Sequence, residues 1–337
     1  MKLHKSLLVA CALLALLVLN SCDTDKKKEN AAEPDEEERV VSVPVFNSDS
    51  AYFFVQKQVN FGPRVPNTEA HQQTGDYLID KFKSYGAFVQ TQEFESQTFD
   101  NKTIQLRNII ASYSPEKTKR ILLAAHWDSR PFADKDDERT DEAIDAANDG
   151  ASGVAVLLEI ARLLNNNVMP NVGVDMILFD GEDWGNDVDY QGNYPTPPGL
   201  DSWWCLGSQH WSKNKHRPNY SAYYGILLDM VGGKDAKFYI EGYSKQFAPS
   251  IVDKVWNRGV QLGHSRYFVR QNGGHITDDH YFVNQYAKIP MIDIIPTDPV
   301  TQSFGSFHHT HDDNMDIISR ETLTAVGSTV MHVIYYE

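Results

Sequence analysis

Gly173-Val174-Asp175-Met176-Ile177-Leu178-Phe179-Asp180-Gly181-Glu182-Asp183-Trp184 carries an apolar run straight into a pair of adjacent carboxylates. The stretch Met176-Ile177-Leu178-Phe179 does not alternate apolar with polar, as a strand with one wet face would. It therefore predicts a central strand covered by helices on both sides. Gly225-Ile226-Leu227-Leu228 repeats the pattern and also ends on an acid, Asp229. Such strands belong to α/β folds, in which loops at the strand ends open the sheet edge and gather functional groups.

Outward from these two runs the periodicity is mixed. Tyr77, Leu78, Phe82 and Tyr85 at helical spacing, closed by Gly86, predict a helix over 69–86. Further helices are expected over 153–164, 248–259 and 321–335, and strands over 88–94, 107–113, 120–125, 173–179, 223–228, 237–241 and 290–295. The expected fold is α/β: a single globular domain with a central mixed, mostly parallel β-sheet flanked by helices on both faces. With 337 residues, 41% hydrophobic and 23% charged, the chain can bury a large core, which favours one large domain over two small ones. The net charge of −15, with no clustered Lys/Arg stripe, excludes a nucleic-acid binder.

The N-terminus reads separately. Lys2 and Lys5 precede the apolar run Leu7 to Leu19, which ends in Leu19-Asn20-Ser21-Cys22. This resembles a bacterial lipoprotein signal, with Cys22 as the lipidated new N-terminus. The run is shorter than the roughly 20 residues of a membrane span, although an uncleaved anchor helix is the alternative. The expected division is a signal over 1–22, a charged flexible spacer over 23–40 and a catalytic domain over 41–337. The protein is then exported and lipid-anchored in the bacterial cell envelope with its catalytic domain periplasmic, and it touches membrane through the anchor only. Cleavage would remove Cys11 and two lysines, taking the charge to −17 and leaving Cys205 as the one free thiol. Buried packing is the expectation for Cys205, and His210 is the nearby histidine that a nucleophilic role would need.

Five potential metal ligands are expected at the ends of hydrophobic strands: His126, Asp149, Asp183, Asp229 and His309. Carboxylates and imidazoles converging on one ion suggest zinc-assisted attack at a carbonyl. His126 and Asp128, two apart on an extended chain, point the same way, so one can bind metal while the other orients a neighbour. Asp149 sits in the small-residue turn Ala147-Asn148-Asp149-Gly150-Ala151. Adjacent Glu182 and Asp183 must divide roles, Asp183 as ligand and Glu182 as proton shuttle. Phe307-His308-His309-Thr310-His311 offers three histidines. Taken singly, His126 could be a hydrogen-bonded strand-end residue, Asp149 a helix cap, the acidic pair a solvated loop, and the histidines a pH-sensitive surface segment.

The ordered set of HxD, Asn-Asp-Gly, Gly-Glu-Asp, strand-Asp and His-Thr resembles the co-catalytic zinc aminopeptidases and their relatives, the glutaminyl cyclases, from Phe61-Gly62-Pro63-Arg64 to the C-terminus. Thr277-Asp278-Asp279-His280 and Ile289 to Pro296 favour the cyclase branch. That resemblance implies one zinc on Asp149, Asp183 and His309, with Glu182 as general base and acid, and Asp229 and Asp278 bonded to it and sharing a proton. It implies a peptide or protein carrying an N-terminal glutamine as substrate. The aminopeptidase branch would instead use two zincs, the second on His126 and Asp229. Two departures stand out: His308 occupies the place of the usual tryptophan, and Asp183 that of the commoner glutamate. Trp184, Phe304 and His308 are candidates for the substrate pocket, with Trp203 and Trp204 as further apolar walls. The insertion 184–200, with Tyr190, Tyr194 and prolines 195, 197 and 198, has the composition of a lid. A monomer is expected.

Overall fold

In the computed structural model, which describes residues 41–186 and 195–337, the chain runs α1 (Ser48–Val59), α2 (Glu69–Ser84), β1 (Phe88–Gln97), β2 (Thr103–Tyr113), β3 (Arg120–His126), α3 (Ala151–Asn166), β4 (Gly173–Phe179), α4 (Leu206–Lys213), β5 (Tyr224–Leu228), β6 (Phe238–Ile240), α5 (Gly242–Phe247), α6 (Pro249–Gln261), β7 (Phe268–Asn272), α7 (Asp279–Phe282), β8 (Met291–Ile294) and α8 (Arg320–Tyr335). The expected signal, Cys22, the spacer 23–40, and Tyr190 and Tyr194 lie outside the described residues.

The main sheet has the order β1-β2-β4-β3-β5-β8. Strands β4, β3, β5 and β8 pair in parallel, while β1 and β2 extend the β4 edge antiparallel. It is thus the mixed, mainly parallel sheet that the unalternating strands predict. Each face has its own core. Ile121, Leu123 and Ala125 of β3 and Val174, Met176 and Leu178 of β4 pack with α1, α3, α6 and α8. The intervening Leu122, Ala124, Ile177 and Phe179 pack on the other face with Trp211, Val283 and Met291. Adjacent residues of one strand serve opposite cores, as the two-residue period of a pleat requires. The 237–241 segment is an exception to the central sheet: as β6 it pairs with β7 in a separate two-stranded sheet.

Asp175 interrupts the apolar run of β4 at no cost to burial, because its carboxylate accepts from Arg120 Nε and Nη2, both 2.6 Å, Ser112 Oγ, 2.6 Å, and Tyr220 OH, 2.8 Å. That network sits near the start of β3 and β4, remote from their C-terminal ends. Because β3 lies between β4 and β5, the chain leaves its C-terminal end toward one neighbour and returns beside it on the other. A crevice opens at such a switch point.

Helix α3 packs against that crevice through Gly153. A Cβ there would lie 2.1 Å from the carbonyl oxygen of Leu228 and 3.0 Å from Ala125 Cβ, so only glycine fits. Gly153→Ala should lower stability by about 1–3 kcal/mol, the usual cost of overpacking, read as a fall in Tm. An unchanged Tm would show that this contact is not tight.

Candidate active site

The strand ends deliver part of the site. β3 ends on His126, β4 feeds Glu182 and Asp183 through Asp180-Gly181, and β5 is followed directly by Asp229. Asp149 and His309 arrive differently from the expectation: neither follows a strand. Asp149 closes the long loop before α3, and His309 lies in the loop after β8. Loops hold ligands only if their own backbone groups are tied down. Here the buried carboxylate of Asp313 accepts from the N–H groups of Asn148, 2.7 Å, and Asp149, 2.9 Å. The buried guanidinium of Arg64 donates to the carbonyls of Ala146, 2.7 Å, Trp127, 3.4 Å, and Asp145. Asp149 is not the helix cap: that position is Gly150, at φ +83°, whose missing Cβ leaves room for Asp128 O and His126 Cε1.

Asp149, Asp183 and His309 do converge. Nε2 of His309 is 3.2 Å from Asp183 Oδ1 and 3.9 Å from Asp149 Oδ2. Both oxygens of Asp183 are buried and meet no hydrogen-bond donor in good geometry among the described residues. Such orphaned oxygens are costly unless a cation serves them. On the far side of the imidazole, Asp134 Oδ1 lies 3.3 Å from His309 Nδ1, the carboxylate–histidine arrangement that orients metal-binding imidazoles. Arg130 clamps Asp134 through two bonds of 2.6 and 2.5 Å and donates to Asp183 O at 3.0 Å. Two carboxylates and one imidazole with an open side fit zinc.

His126 sits between the next carboxylates. Its Nε2 is 3.0 Å from Asp149 Oδ1 and 3.1 Å from Asp229 Oδ1, with Nδ1 3.5 Å from Asp128 Oδ1. Burial opposes a charged imidazole, but bonds to Asp128, Asp149 and Asp229 override it and raise the His126 pKa well above its ordinary value. Burial would likewise raise Asp149, yet the His126 bond and the charges of His126 and His309 pull it below the usual range. Asp229 is pushed up to about 7 by burial and by Asp149 and Asp278, against the opposing pull of His126. The hydrogen bond shown for Asp229 is to His126, where a bond to Glu182 was expected.

Glu182 faces the cleft, partly exposed but ringed by protein. Burial and the neighbouring Asp183, Asp278 and Asp279 raise its pKa well above the carboxylate range, against the charge of His126. Its Oε1 is 3.2 Å from the Cys205 thiol, and Glu182, Cys205 and Asp278 each place a donor atom within 4.8 Å of the others. Cys205 is buried as expected but is more than packing, and His210 stacks on Phe94 instead of serving it. Asp278 caps α7 and stands beside Asp293, whose pKa burial and the Asp278 charge raise well above normal. Asp128 fastens the whole segment: its two oxygens accept from the N–H groups of Glu182 and Asp183, both 3.1 Å.

These groups line a cavity of about 280 Å³ whose apolar side includes Trp204, Phe304 and Ile295. His308 lines it too; its ring lies 3.7 Å from that of His309, and Lys135 Nζ is 2.6 Å from its Nδ1. Burial, His309 and Lys135 keep its pKa well below normal, so it is neutral. Trp184 does not reach the pocket. It packs with Trp203, Val65, Phe99 and Leu206 and donates its indole N–H to Asp100 at 3.3 Å. Trp204, stacked parallel to His309 at 5.9 Å, takes the place expected for it.

Four non-glycine residues beside the ligands have left-handed backbone: Ala146, Cys205, Met230 and His309, with φ between 48° and 61°. Each costs on the order of 1–2 kcal/mol, which the surrounding bonds must offset.

Residues 108–334 match the model of Peptidase family M28, and the chain belongs to that family. It is 50% identical to the crystal structure of Bacteroides thetaiotaomicron glutaminyl cyclase bound to N-acetylhistamine, with a TM-score of 0.84 over 88% of this chain and 100% of that one. A Zn-dependent exopeptidase from Parabacteroides distasonis is also 50% identical, with a TM-score of 0.83 over the same shares. Glutaminyl-peptide cyclotransferase of Drosophila melanogaster is 25% identical over 288 residues, 77% of this chain and 73% of its own length.

Removing the Asp128 carboxylate frees the Glu182–Asp183 backbone. Asp128→Ala should therefore weaken zinc retention about 10–100-fold, measured by competition with a chelator. Retention equal to the parent would show that Asp183 holds its place without this support.

Proposed function

We propose that the chain is a zinc-dependent glutaminyl-peptide cyclotransferase, which closes the N-terminal glutamine of a peptide onto its own α-amine and releases ammonia as pyroglutamate forms. The observation that carries this reading is Glu182 grouped with Cys205 and Asp278 in a half-open pocket, beside the Asp149–Asp183–His309 ligand set. Zinc held there would supply a Lewis acid that polarises the γ-carboxamide carbonyl. Glu182, its pKa raised well above the carboxylate range by burial, accepts a proton from the attacking amine and returns it to the departing ammonia. Asp278, which brings an oxygen within 4.8 Å of Glu182, steadies the proton transfer electrostatically. Trp204, Phe304 and Ile295 exclude water and press the glutamine side chain toward its amine, so that proximity supplies much of the acceleration.

A single zinc is part of the proposal. Its support is His126, whose Nε2 lies 3.0 Å from Asp149 and 3.1 Å from Asp229 and whose raised pKa favours a positive imidazolium where a second cation would sit. The competing reading, an aminopeptidase with two zincs, rests on the same three residues: His126, Asp149 and Asp229 bring one donor atom each within 4.8 Å of one another. We place the enzyme outside the cytoplasm as a monomer, anchored through Cys22, and acting on exported peptides and proteins that begin with glutamine.

Glu182→Gln should cut kcat by about 10²–10⁴ on a Gln-initiated peptide, followed as ammonia release, while zinc remains bound. Asp278→Ala should also cripple cyclisation. Release of free amino acids from the peptide N-terminus, with no pyroglutamate, would sink the cyclase reading in favour of the peptidase.

A further inference from the structure

Phe304 lines two cavities. One is the active-site pocket; the other, about 400 Å³, continues along the same two chain segments. Ile295 faces the first and Pro296 to Asp298 the second, while His308 faces the first and Phe307 the second. A peptide seated by its N-terminal glutamine must run its remaining residues out of the pocket, and this groove lies next along the wall. At its floor Asn148 is fully buried. Its Oδ1 accepts from Gly232 N at 2.8 Å, which ties the groove's floor to the segment that carries Lys234 and Lys237.

The rim is electrostatically biased. Asp298 spends its carboxylate on its own turn, accepting from Val300 N, 2.9 Å, and Thr301 N, 2.7 Å. Asp235 is paired with Arg266 at 2.6 Å. The exposed ammonium groups of Lys234 and Lys237 remain, Lys234 resting on the Asp316 carbonyl. Asp298 keeps its charge, but with Arg266 offsetting Asp235 the two lysines, which have no carboxylate partner among the described residues, leave the rim a small positive excess on a chain of net charge −15.

We propose that this second cavity binds the residues that follow the N-terminal glutamine and selects acidic side chains among them, with Lys234 and Lys237 as the specificity-determining residues. The inference rests on the cyclase reading above and names the substrate class that the reading leaves open. An exposed ion pair contributes about twofold to fivefold per charge, and less as salt screens it.

The test uses the full-length chain and four substrates: Gln-Ala amide, Gln-Ala-Ala-Ala, Gln-Glu-Glu-Ala and Gln-Lys-Lys-Ala. Ammonia release should give a higher kcat/KM for the neutral tetrapeptide than for the dipeptide amide. The acidic tetrapeptide should exceed the basic one by about fourfold or more at low salt, mostly through KM, and the gap should narrow in high salt. The double substitution Lys234→Glu and Lys237→Glu should invert the acidic-to-basic ratio. Equal kcat/KM for the acidic and basic peptides, or a preference that survives the double substitution, overturns the groove assignment while leaving the cyclase reading intact. Failure of all four peptides to release ammonia overturns both.

Discussion

Repulsion among buried carboxylates governs this structure. Asp149, Glu182, Asp183, Asp229 and Asp278 line one cavity, and five bare anions cannot share a low-dielectric space. The chain resolves the conflict residue by residue. His126 sits between Asp149 and Asp229 with its pKa raised well above the ordinary value, Asp229 is pushed up to about 7, and burial beside Asp278 raises Asp293 well above normal. Asp183 and Asp149, with His309, are left to a cation, and Glu182 is left with a raised pKa that suits it to moving a proton. The same repulsion that would destabilise an empty site is what divides the acids into ligands, bridges and proton carrier.

Holding these groups in place requires a frame that cannot relax. Central parallel strands with a core on each face fix His126, Glu182, Asp183 and Asp229 at one edge. The two ligands that come from loops are tied by buried ionic groups: Asp313 and Arg64 for the turn at Asp149, Asp134 and Arg130 for His309. Left-handed backbone at Cys205, Met230 and His309 shows that the chain accepts strain to aim the site. Mutations in that supporting shell are expected to act through geometry, as in other sites where a small displacement is enough to lose function.

Much of this was legible in the sequence, for definite reasons. Unalternating runs at 173–179 and 225–228 announced covered strands, and an acid directly after each pointed to the site edge. The bounds of β4 and the start of the helix expected over 69–86 followed from periodicity, while that helix ends at Ser84, two residues before Gly86. Pocket walls were less readable, because a one-residue difference along a turn reverses a side chain: Trp203 turns into a satellite core while Trp204 faces the cavity. The supporting shell was also obscure. Nothing local marks Asp313, Asp134, Arg130 or Arg64 as partners of residues distant in the chain, and the thiol of Cys205 reaches Glu182 only through tertiary packing. Short elements such as α4, β7 and α7 are held by tertiary contacts more than by their own pattern.

The account depends on one cation serving Asp149, Asp183 and His309, with His126 doing by protonation what a second ion would otherwise do. A crystal of the zinc-loaded protein measured on both sides of the zinc absorption edge tests this directly. One anomalous peak about 2.0–2.2 Å from ligand atoms of Asp149, Asp183 and His309, and none between His126 and Asp229, is the expected result. A second peak of comparable height between His126 and Asp229 would contradict the account.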